Sequence, residues 1–217
     1  MSKSSQNPGA GRGDILAAAT DLFAESGYDA VSISAIARRA GTSKANVFHH
    51  FGCKDALYLE VMRAACRTFE DVLSELDGGV DRCGVRLRRF AQRDLEQLRA
   101  APDRAHLILR EVLESGPSRG RALATEVFDE NFGELVGLFR EGMASGEFTD
   151  EVPPALAASM LVACNVFLFQ SQHVLRHLPG VDFVDDPERY ADLVSRVLLD
   201  GLRRREPGGE AGGGSAE

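Results

Sequence analysis

The spacing of apolar residues is the feature that most restricts the fold of this chain. Apolar side chains recur every three and four residues through most of its 217 positions, and alternating Val/Ile/Thr runs are absent. Such spacing lines one face of an α-helix, whereas a half-buried strand requires strict alternation. The composition, 44% hydrophobic and 27% charged, suits a soluble globular chain of one large or two modest domains. The sequence therefore predicts an all-α fold.

Glycines, prolines and capping residues divide the chain into about nine predicted helices. Gly27 is predicted to end the first helix, Ser32 and Ser43 to cap the next two, and Pro102 and Pro117 to occupy first turns. The predicted bounds are 13–26, 32–39, 43–51, 54–76, 82–100, 102–114, 117–145, 153–178 and 187–205. Residues 1–11 and 206–217 are rich in small and polar residues and are predicted to be disordered tails.

The second and third predicted helices lie in a segment without acidic residues. No Asp or Glu occurs from Ala30 to Lys54, although the formal net charge of the chain is -8. Residues 1–54 carry six Lys or Arg and four Asp or Glu, a net charge of +2, which leaves −10 for the remainder. Either the surface charge is merely uneven, or this segment is built to lie against a polyanion. The segment is predicted to form a bracing helix, a tight turn and a second helix, which is the arrangement that reads the major groove of DNA. This pattern favours DNA as the polyanion.

A dense set of short motifs runs through this segment and the helix before it. The motifs are Ile15-Leu16-Ala17-Ala18-Ala19, Leu22-Phe23, Gly27-Tyr28, Ile33, Ile36-Ala37, Ala40-Gly41, Ser43-Lys44, Val47-Phe48-His49-His50-Phe51, Lys54, Asp55 and Leu57. In these residues the chain resembles the TetR family of bacterial transcriptional regulators. The resemblance covers about 45 residues; the rest of the chain agrees with the family only in length and helicity.

The resemblance implies a DNA-binding helix-turn-helix domain at residues 12–58 and a ligand-binding and dimerisation domain at residues 59–205. It assigns to the DNA surface Ser32, Thr42, Ser43, Lys44, Asn46, Phe48, His49, His50 and Lys54. The family often has tyrosine at the position of Phe48, which lacks a hydroxyl for a phosphate. Phe48 is expected either to touch a thymine methyl group or to pack inward.

The function that the resemblance implies is transcriptional regulation in the cytoplasm. The expected protein is a homodimeric repressor that binds a palindromic operator and is released by a small molecule. The alternative is a DNA-binding protein of the same fold that is controlled by a protein partner. Helices 153–178 and 187–205 are the expected dimerisation pair.

Aromatic and polar side chains between residues 59 and 205 are the candidate ligand contacts. They are His106, Arg110, Phe128, Phe132, Asn165, Phe169, Gln170 and His173. Core packing or surface exposure is the alternative for each of them. Five phenylalanines are predicted to be buried, namely Phe128, Phe132, Phe139, Phe167 and Phe169.

Other chemistries have little support in the sequence. His173 and His177 have the i, i+4 spacing of metal ligands, but no third ligand accompanies them, and neither a metal nor a cofactor is expected. No catalytic constellation is present, so an enzyme is not expected. The four cysteines show no disulfide-framework spacing. Residues 152–175 lack Asp, Glu, Lys and Arg but contain several polar residues, which predicts a helix buried by protein rather than a membrane span.

Overall fold

The computed structural model describes residues 11–74 and 81–203, the side chain of Thr68 excepted. These residues form ten α-helices and no β-strand, which confirms the predicted all-α fold. The helices are α1 (Arg12–Ala30), α2 (Ile33–Arg39), α3 (Lys44–Phe51), α4 (Lys54–Ser74), α5 (Cys83–Ala100), α6 (Pro102–Glu114), α7 (Pro117–Leu123), α8 (Asp129–Ala144), α9 (Pro154–Leu175) and α10 (Pro187–Leu202). The predicted tails, apart from Gly11, and the predicted helix ends at residues 76 and 205 lie outside the described residues.

The predicted helix 117–145 is continuous but not uniform. α7 passes into a π-helical turn, Ala124–Phe128, which passes into α8. Inside that turn the hydroxyl of Thr125 donates a hydrogen bond to the carbonyl oxygen of Arg121, 3.0 Å away. Such side-chain bonds compete with the backbone ladder of the helix. Apolar spacing carries no mark of a π turn, and the sequence therefore predicted one uniform helix.

Two helices near the C-terminus end earlier than predicted. After α9, His177 N–H and Leu178 N–H donate to carbonyls three residues back, so the chain tightens into a turn there. α10 ends at Leu202 because the backbone of Arg203 is extended. The carbonyl of Leu202 instead accepts a 2.7 Å hydrogen bond from Thr149 N–H.

The described residues fall into two compact units. The first unit contains residues 11–72 and 97–131, and the second contains residues 73–96 and 132–203 apart from the gap at 75–80. The first unit thus combines α1 to α3 with most of α4, with α6 and with α7. The functional boundary between residues 58 and 59 remains a prediction.

The first unit is built on one apolar core to which α1, α2, α3, α4, α6 and α7 contribute. From the helix-turn-helix, Ile36, Ala37, Val47 and Phe51 are buried in this core, and Ile33 is partly buried against it. The core residues are Ile15, Ala19, Phe23, Val31, Ile36, Ala37, Val47, Phe51, Leu57, Tyr58, Val61, Met62, Cys66, Leu107, Leu123 and Val127. α1 breaks at Gly27, whose φ of 76° is a conformation that residues with a Cβ seldom adopt.

The second unit contains a smaller apolar cluster around α5, α9 and α10. Its buried residues are Leu95, Leu168, Val184, Tyr190 and Ala191. Elsewhere in the unit the Phe148 ring lies against α8 at Gly142, where a Cβ would stand only 2.3 Å from the ring. Only glycine permits this approach, so any side chain there would displace Phe148 from its buried position.

The prediction that five phenylalanines are buried is wrong for one of them. Phe139 and Phe169 are buried, and Phe128 and Phe132 are partly buried. Phe167 is 62% exposed and lies on α9 in a line with exposed Leu156, Met160 and Val174. The apolar spacing of α9 is regular, but the single chain covers only the opposite face of the helix.

α9 is also the one described helix that is long and apolar enough to cross a membrane. A core helix of a soluble protein meets the same criteria of length and composition. One third of the most apolar stretch of α9 is buried in the single chain. The predicted burial of this helix by protein on several sides is therefore only partly seen in one copy. The buried face holds Ala157, Leu161, Asn165 and Leu168.

A buried polar pair joins α5 to α9 in the second unit. The amide nitrogen of Asn165 donates to Asp94 Oδ2 and to the carbonyl oxygen of Ala91, both at 2.8 Å. Burial raises the pKa of the Asp94 carboxyl from its ordinary value of 3.8 to about 6, against a smaller opposite effect of the hydrogen bond from Asn165. The folded protein therefore holds the Asp94 proton more tightly than the unfolded chain does.

The raised pKa of Asp94 predicts that its contribution to stability is present in acid and lost on moving toward neutral pH. A pKa rise from 3.8 to about 6 corresponds to about 3 kcal/mol, lost between about pH 4 and pH 6. Asp94→Asn keeps an acceptor for Asn165 and carries no charge, so it is expected to unfold with a larger free energy than the parent at neutral pH. Urea titration across this pH range at fixed protein concentration measures the difference. Exposed Asp103→Asn is the control, and equal behaviour of the two variants would contradict the prediction.

Candidate nucleic-acid interface

The helix-turn-helix is fixed by two serine caps and one glycine turn. Ser32 Oγ accepts a hydrogen bond from Ala35 N–H at 3.2 Å, and Ser43 Oγ accepts one from Asn46 N–H at 3.1 Å. Between the helices, Gly41 has a φ of 66°. Its N–H donates to the carbonyl of Arg38, and the N–H of Thr42 donates to that of Ala37. This pair of bonds is the Schellman arrangement, which ends α2 abruptly and lets α3 begin at Lys44, three residues after Gly41.

α3 has one buried face and one open face. Val47 and Phe51 are 1% and 7% exposed and fasten the helix to the core of the first unit. The nine predicted DNA contacts lie outside that core. Ser32, Ser43, Lys44, Phe48 and His49 are exposed, and Thr42, Asn46, His50 and Lys54 are partly exposed.

Two positions on the open face are better defined by the structure than by the sequence. Phe48 is 47% exposed, so its ring does not pack inward in this structure. Asn46 Nδ2 donates to Thr42 Oγ1 at 2.9 Å. This bond places two of the predicted base- or phosphate-contacting side chains side by side at the start of the helix.

The basic residues of the segment differ in how they are engaged. Arg39 forms ion pairs with Asp21 and Glu25 of α1, at 3.5 and 3.1 Å. Arg38 and Lys44 are exposed and have no ion pair within the described residues. Their charges are therefore available to an external anion.

Lys54 is the predicted DNA contact with the most internal structure around it. Its ammonium nitrogen lies 4.0 Å from the centre of the Tyr28 ring, a cation–π geometry. Burial and the nearby Arg119 lower the pKa of Lys54, while Asp29 acts in the opposite direction. The hydroxyl of Tyr28 bonds in turn to Asp55.

A buried hydrogen-bond network lies behind this part of the surface. Glu111 of α6 is only 4% exposed, and Tyr58 O–H donates to its Oε2 at 2.7 Å. Arg119 Nε donates to Glu111 Oε1 at 2.9 Å, and Arg119 Nη1 donates to Asp29 Oδ1 at 3.2 Å. The Arg119 guanidinium also lies 4.7 Å from the centre of the Tyr28 ring. Tyr28 thus contacts both Arg119 and Lys54.

The network formed by Tyr58, Glu111 and Arg119 was not predicted from the sequence. The available signal was an acidic residue four positions after Leu107, on the apolar face of α6. A carboxylate at a core position requires charged or hydrogen-bonding partners. The sequence does not say which residues supply them, since Tyr58 is 53 positions away along the chain and Arg119 lies beyond the end of α6.

Two clefts open in the first unit near this network. One has a volume of about 270 Å³ and lies between residues 26–30 and side chains that include Tyr58, Arg110 and Arg119. The other, of about 660 Å³, lies between α1 and the start of α6, and includes His106 and again Arg110. His106 and Arg110 are therefore the two predicted ligand contacts that line these clefts.

The other six predicted ligand contacts do not line these two clefts. Phe128 packs beside the core of the first unit, and Phe132 is partly buried in the second. Gln170 and His173 are exposed on α9. Phe169 and Asn165 are buried, and Asn165 Oδ1 has no hydrogen-bond partner among the described atoms. Their roles as ligand contacts remain predictions.

Metal binding gains no support from the geometry. Within the described residues no group of three or more His, Cys, Asp or Glu side chains could hold a metal ion. His173 and His177 are both exposed, as expected for polar residues near the end of a helix.

Comparison with known proteins identifies the class. Residues 15–61 match the family model of bacterial regulatory proteins of the tetR family. The transcriptional regulator RutR of Escherichia coli (strain K12) is 25% identical over 213 residues, which cover 88% of this chain and 90% of that protein. The transcriptional repressor NicS of Pseudomonas putida is 24% identical over 199 residues, covering 89% and 92%. These similarities support a transcriptional regulator of the TetR family.

Solved structures agree with this assignment at the level of the fold. The transcriptional regulator FadR from Bacillus subtilis, solved in complex with stearoyl-CoA, superposes with a TM-score of 0.71 at 18% identity. The superposition covers 88% of this chain and 98% of that one.

The network predicts that Tyr58 stabilises the folded first unit through its hydrogen bond to Glu111. Tyr58→Phe removes one of the hydrogen bonds to a buried carboxylate and is expected to lower the free energy of unfolding by about 1–3 kcal/mol. In the double variant Tyr58→Phe with Glu111→Gln, the two losses should be less than additive, because the two residues are bonded to each other. Chemical denaturation of the parent, both single variants and the double variant measures this coupling. Strict additivity would contradict a direct Tyr58–Glu111 interaction.

Proposed function

We propose that the chain is a homodimeric transcriptional repressor that binds a palindromic DNA operator through α3 and is released by a small molecule. The observation that carries the proposal is the open face of α3. It is capped, held from behind by Val47 and Phe51, and free of acidic residues. Such a face is rigid and suited to the edges and phosphates of a major groove.

The roles of the nine residues follow from their side-chain chemistry. Asn46 and His49 are the candidates for base edges, since amide and imidazole groups can donate and accept hydrogen bonds. The exposed Phe48 ring is the candidate for a thymine methyl group. The candidates for phosphate contacts are the hydroxyl groups of Ser32, Thr42 and Ser43 and the ammonium groups of Lys44 and Lys54. His50 is a further candidate for a phosphate contact.

Dimerisation is supported by the uncovered apolar side of α9 and α10. Leu156, Met160, Phe167 and Val174 are 46–65% exposed on α9, and Val197 is 78% exposed on α10. A stripe of large apolar side chains in water is unfavourable, and the same stripe on a second copy can cover it about a two-fold axis. Two copies would then present two α3 helices to half-sites one DNA turn, about 34–36 Å, apart.

Small-molecule control is supported by the clefts of the first unit and by the relatives. The similar FadR from Bacillus subtilis was solved with stearoyl-CoA, and NicS is named as a repressor. Another relative, FasR of Mycolicibacterium smegmatis, is named as a transcriptional activator and is 44% identical over 52 residues. We propose that this chain represses transcription and that it acts in the cytoplasm.

Substitutions on α3 should separate phosphate contacts from base contacts. Lys44→Ala is expected to weaken binding to operator and to unrelated DNA alike, and to reduce the slope of log affinity against log salt by about 1. Asn46→Ala is expected to weaken operator binding selectively, by about 1–3 kcal/mol. Quantitative gel shifts with an operator selected from random DNA, repeated at several salt concentrations, measure both effects.

Arg121→Ala provides the control for charge, because Arg121 is exposed on α7 and belongs to none of the proposed contacts. It should leave both the affinity and the salt slope close to those of the parent. Absence of sequence-selective binding by the parent would refute the proposed function.

A charge in the apolar stripe should dissociate the dimer. Phe167→Glu would place a carboxylate at the centre of the proposed interface, where its desolvation is unfavourable. Sedimentation equilibrium is expected to show monomers at concentrations where the parent is dimeric. Leu113→Glu is the matched control, since Leu113 is 79% exposed on α6 outside the stripe. If the parent is monomeric, or if Phe167→Glu remains dimeric, α9 is not the interface.

A further inference from the structure

One arginine of the first unit lacks the acidic partner that a half-buried guanidinium usually has. Arg110 of α6 is partly buried and forms no hydrogen bond or ion pair with the described residues. The neighbouring arginines behave differently. Arg119 binds Glu111 and Asp29, and Arg39 binds Asp21 and Glu25.

The guanidinium of Arg110 faces a cavity. It lines both clefts of the first unit. Its Nη1 lies 3.6 Å from the position that a Cβ of Gly27 would take, and Gly27 belongs to the wall of the smaller cleft. Partly desolvated donors beside an open space are the arrangement by which a pocket orients a polar ligand group.

We infer that the smaller cleft binds a small organic carboxylate whose carboxyl group is held by Arg110. The planar guanidinium matches a carboxylate with two parallel hydrogen bonds. The rings of Tyr28 and Tyr58 and the side chain of Leu107 also line this cleft and offer apolar contacts to the rest of the ligand. The inference rests on the proposed function, because it names the chemical class of the effector.

The other charges of the cleft decide which anions are suitable. Glu111 is satisfied by Tyr58 and Arg119, and Asp29 is paired with Arg119 while its side chain is 85% exposed. Glu114, one turn after Arg110, is exposed and within the cleft lining. These carboxylates disfavour a dianion such as phosphate much more than a single carboxylate. The volume of about 270 Å³ admits only a small molecule.

The site touches the residues that hold a DNA contact. Tyr28 lines the cleft and carries Lys54 against its ring, and Tyr58 and Arg119 line the same cleft. A ligand that repositions Tyr28 would therefore change the surroundings of Lys54 without contacting DNA itself.

The test compares benzoate with its uncharged isostere benzamide on the full chain. Calorimetric titration of the parent is expected to show tighter binding of benzoate than of benzamide. Arg110→Met keeps an unbranched, flexible side chain and removes the guanidinium group. It should weaken the binding of benzoate by a factor on the order of 10–100 while leaving the binding of benzamide unchanged. Arg110→Lys should fall between the two, because it keeps the charge and loses the paired geometry.

Two further variants locate the site. Arg104→Met removes a cation that lines only the larger cleft, and it should bind benzoate like the parent. Glu114→Gln removes a competing carboxylate and should increase the affinity for benzoate. Equal binding of benzoate and benzamide by the parent, or an unchanged benzoate affinity in folded Arg110→Met, would overturn the inference. Gel shifts without benzoate report on the proposed function separately, since DNA binding can be present when carboxylate binding is absent.

Discussion

The packing of α3 against the core of the first unit is the interaction on which the rest of the functional surface depends. A helix of eight residues is not stable alone in water, because too few backbone bonds repay its nucleation. Val47 and Phe51 attach it to a core shared with α1, α2 and α4. The cap at Ser43 and the turn at Gly41 then fix where it begins. The proposed DNA contacts on α3 and in the turn before it inherit their positions from these few groups.

Glu111 extends this dependence beyond the helix-turn-helix. A carboxylate that is 4% exposed must find partners, and they come from α4 and α7. Burial and the hydrogen bond to Glu111 raise the pKa of Tyr58, so the phenol remains a proton donor throughout the physiological range. Arg119 continues the network to Asp29 and to the ring that supports Lys54. The network therefore connects α6 and α7 physically to the proposed DNA-binding surface within one compact unit.

Local features of the fold could be predicted from the sequence because their causes are local. Serine caps, a glycine with positive φ and the inward faces of α2 and α3 each depend on residues a few positions apart. The Tyr58–Glu111–Arg119 arrangement could not be predicted, because it joins side chains that only the folded chain brings together.

Phe167 and the π turn show two other limits of the sequence. Apolar spacing identifies a helix face that needs cover, but it does not distinguish cover by the same chain from cover by a second copy. At Thr125 one hydroxyl bonding back to a carbonyl accompanies a π turn, and this leaves no trace in the apolar spacing. The DNA contacts are an intermediate case. Their exposure is seen in the structure, whereas their roles come from the resemblance and their side-chain chemistry.

Selection of binding sites from a pool of random double-stranded DNA tests the central claim most directly. The full chain is expected to enrich an inverted repeat whose half-sites are centred about one helical turn apart, 10–10.5 base pairs, or a small multiple of it. Enrichment of no sequence, or of a single half-site without a symmetric partner, would contradict a dimeric operator-binding regulator.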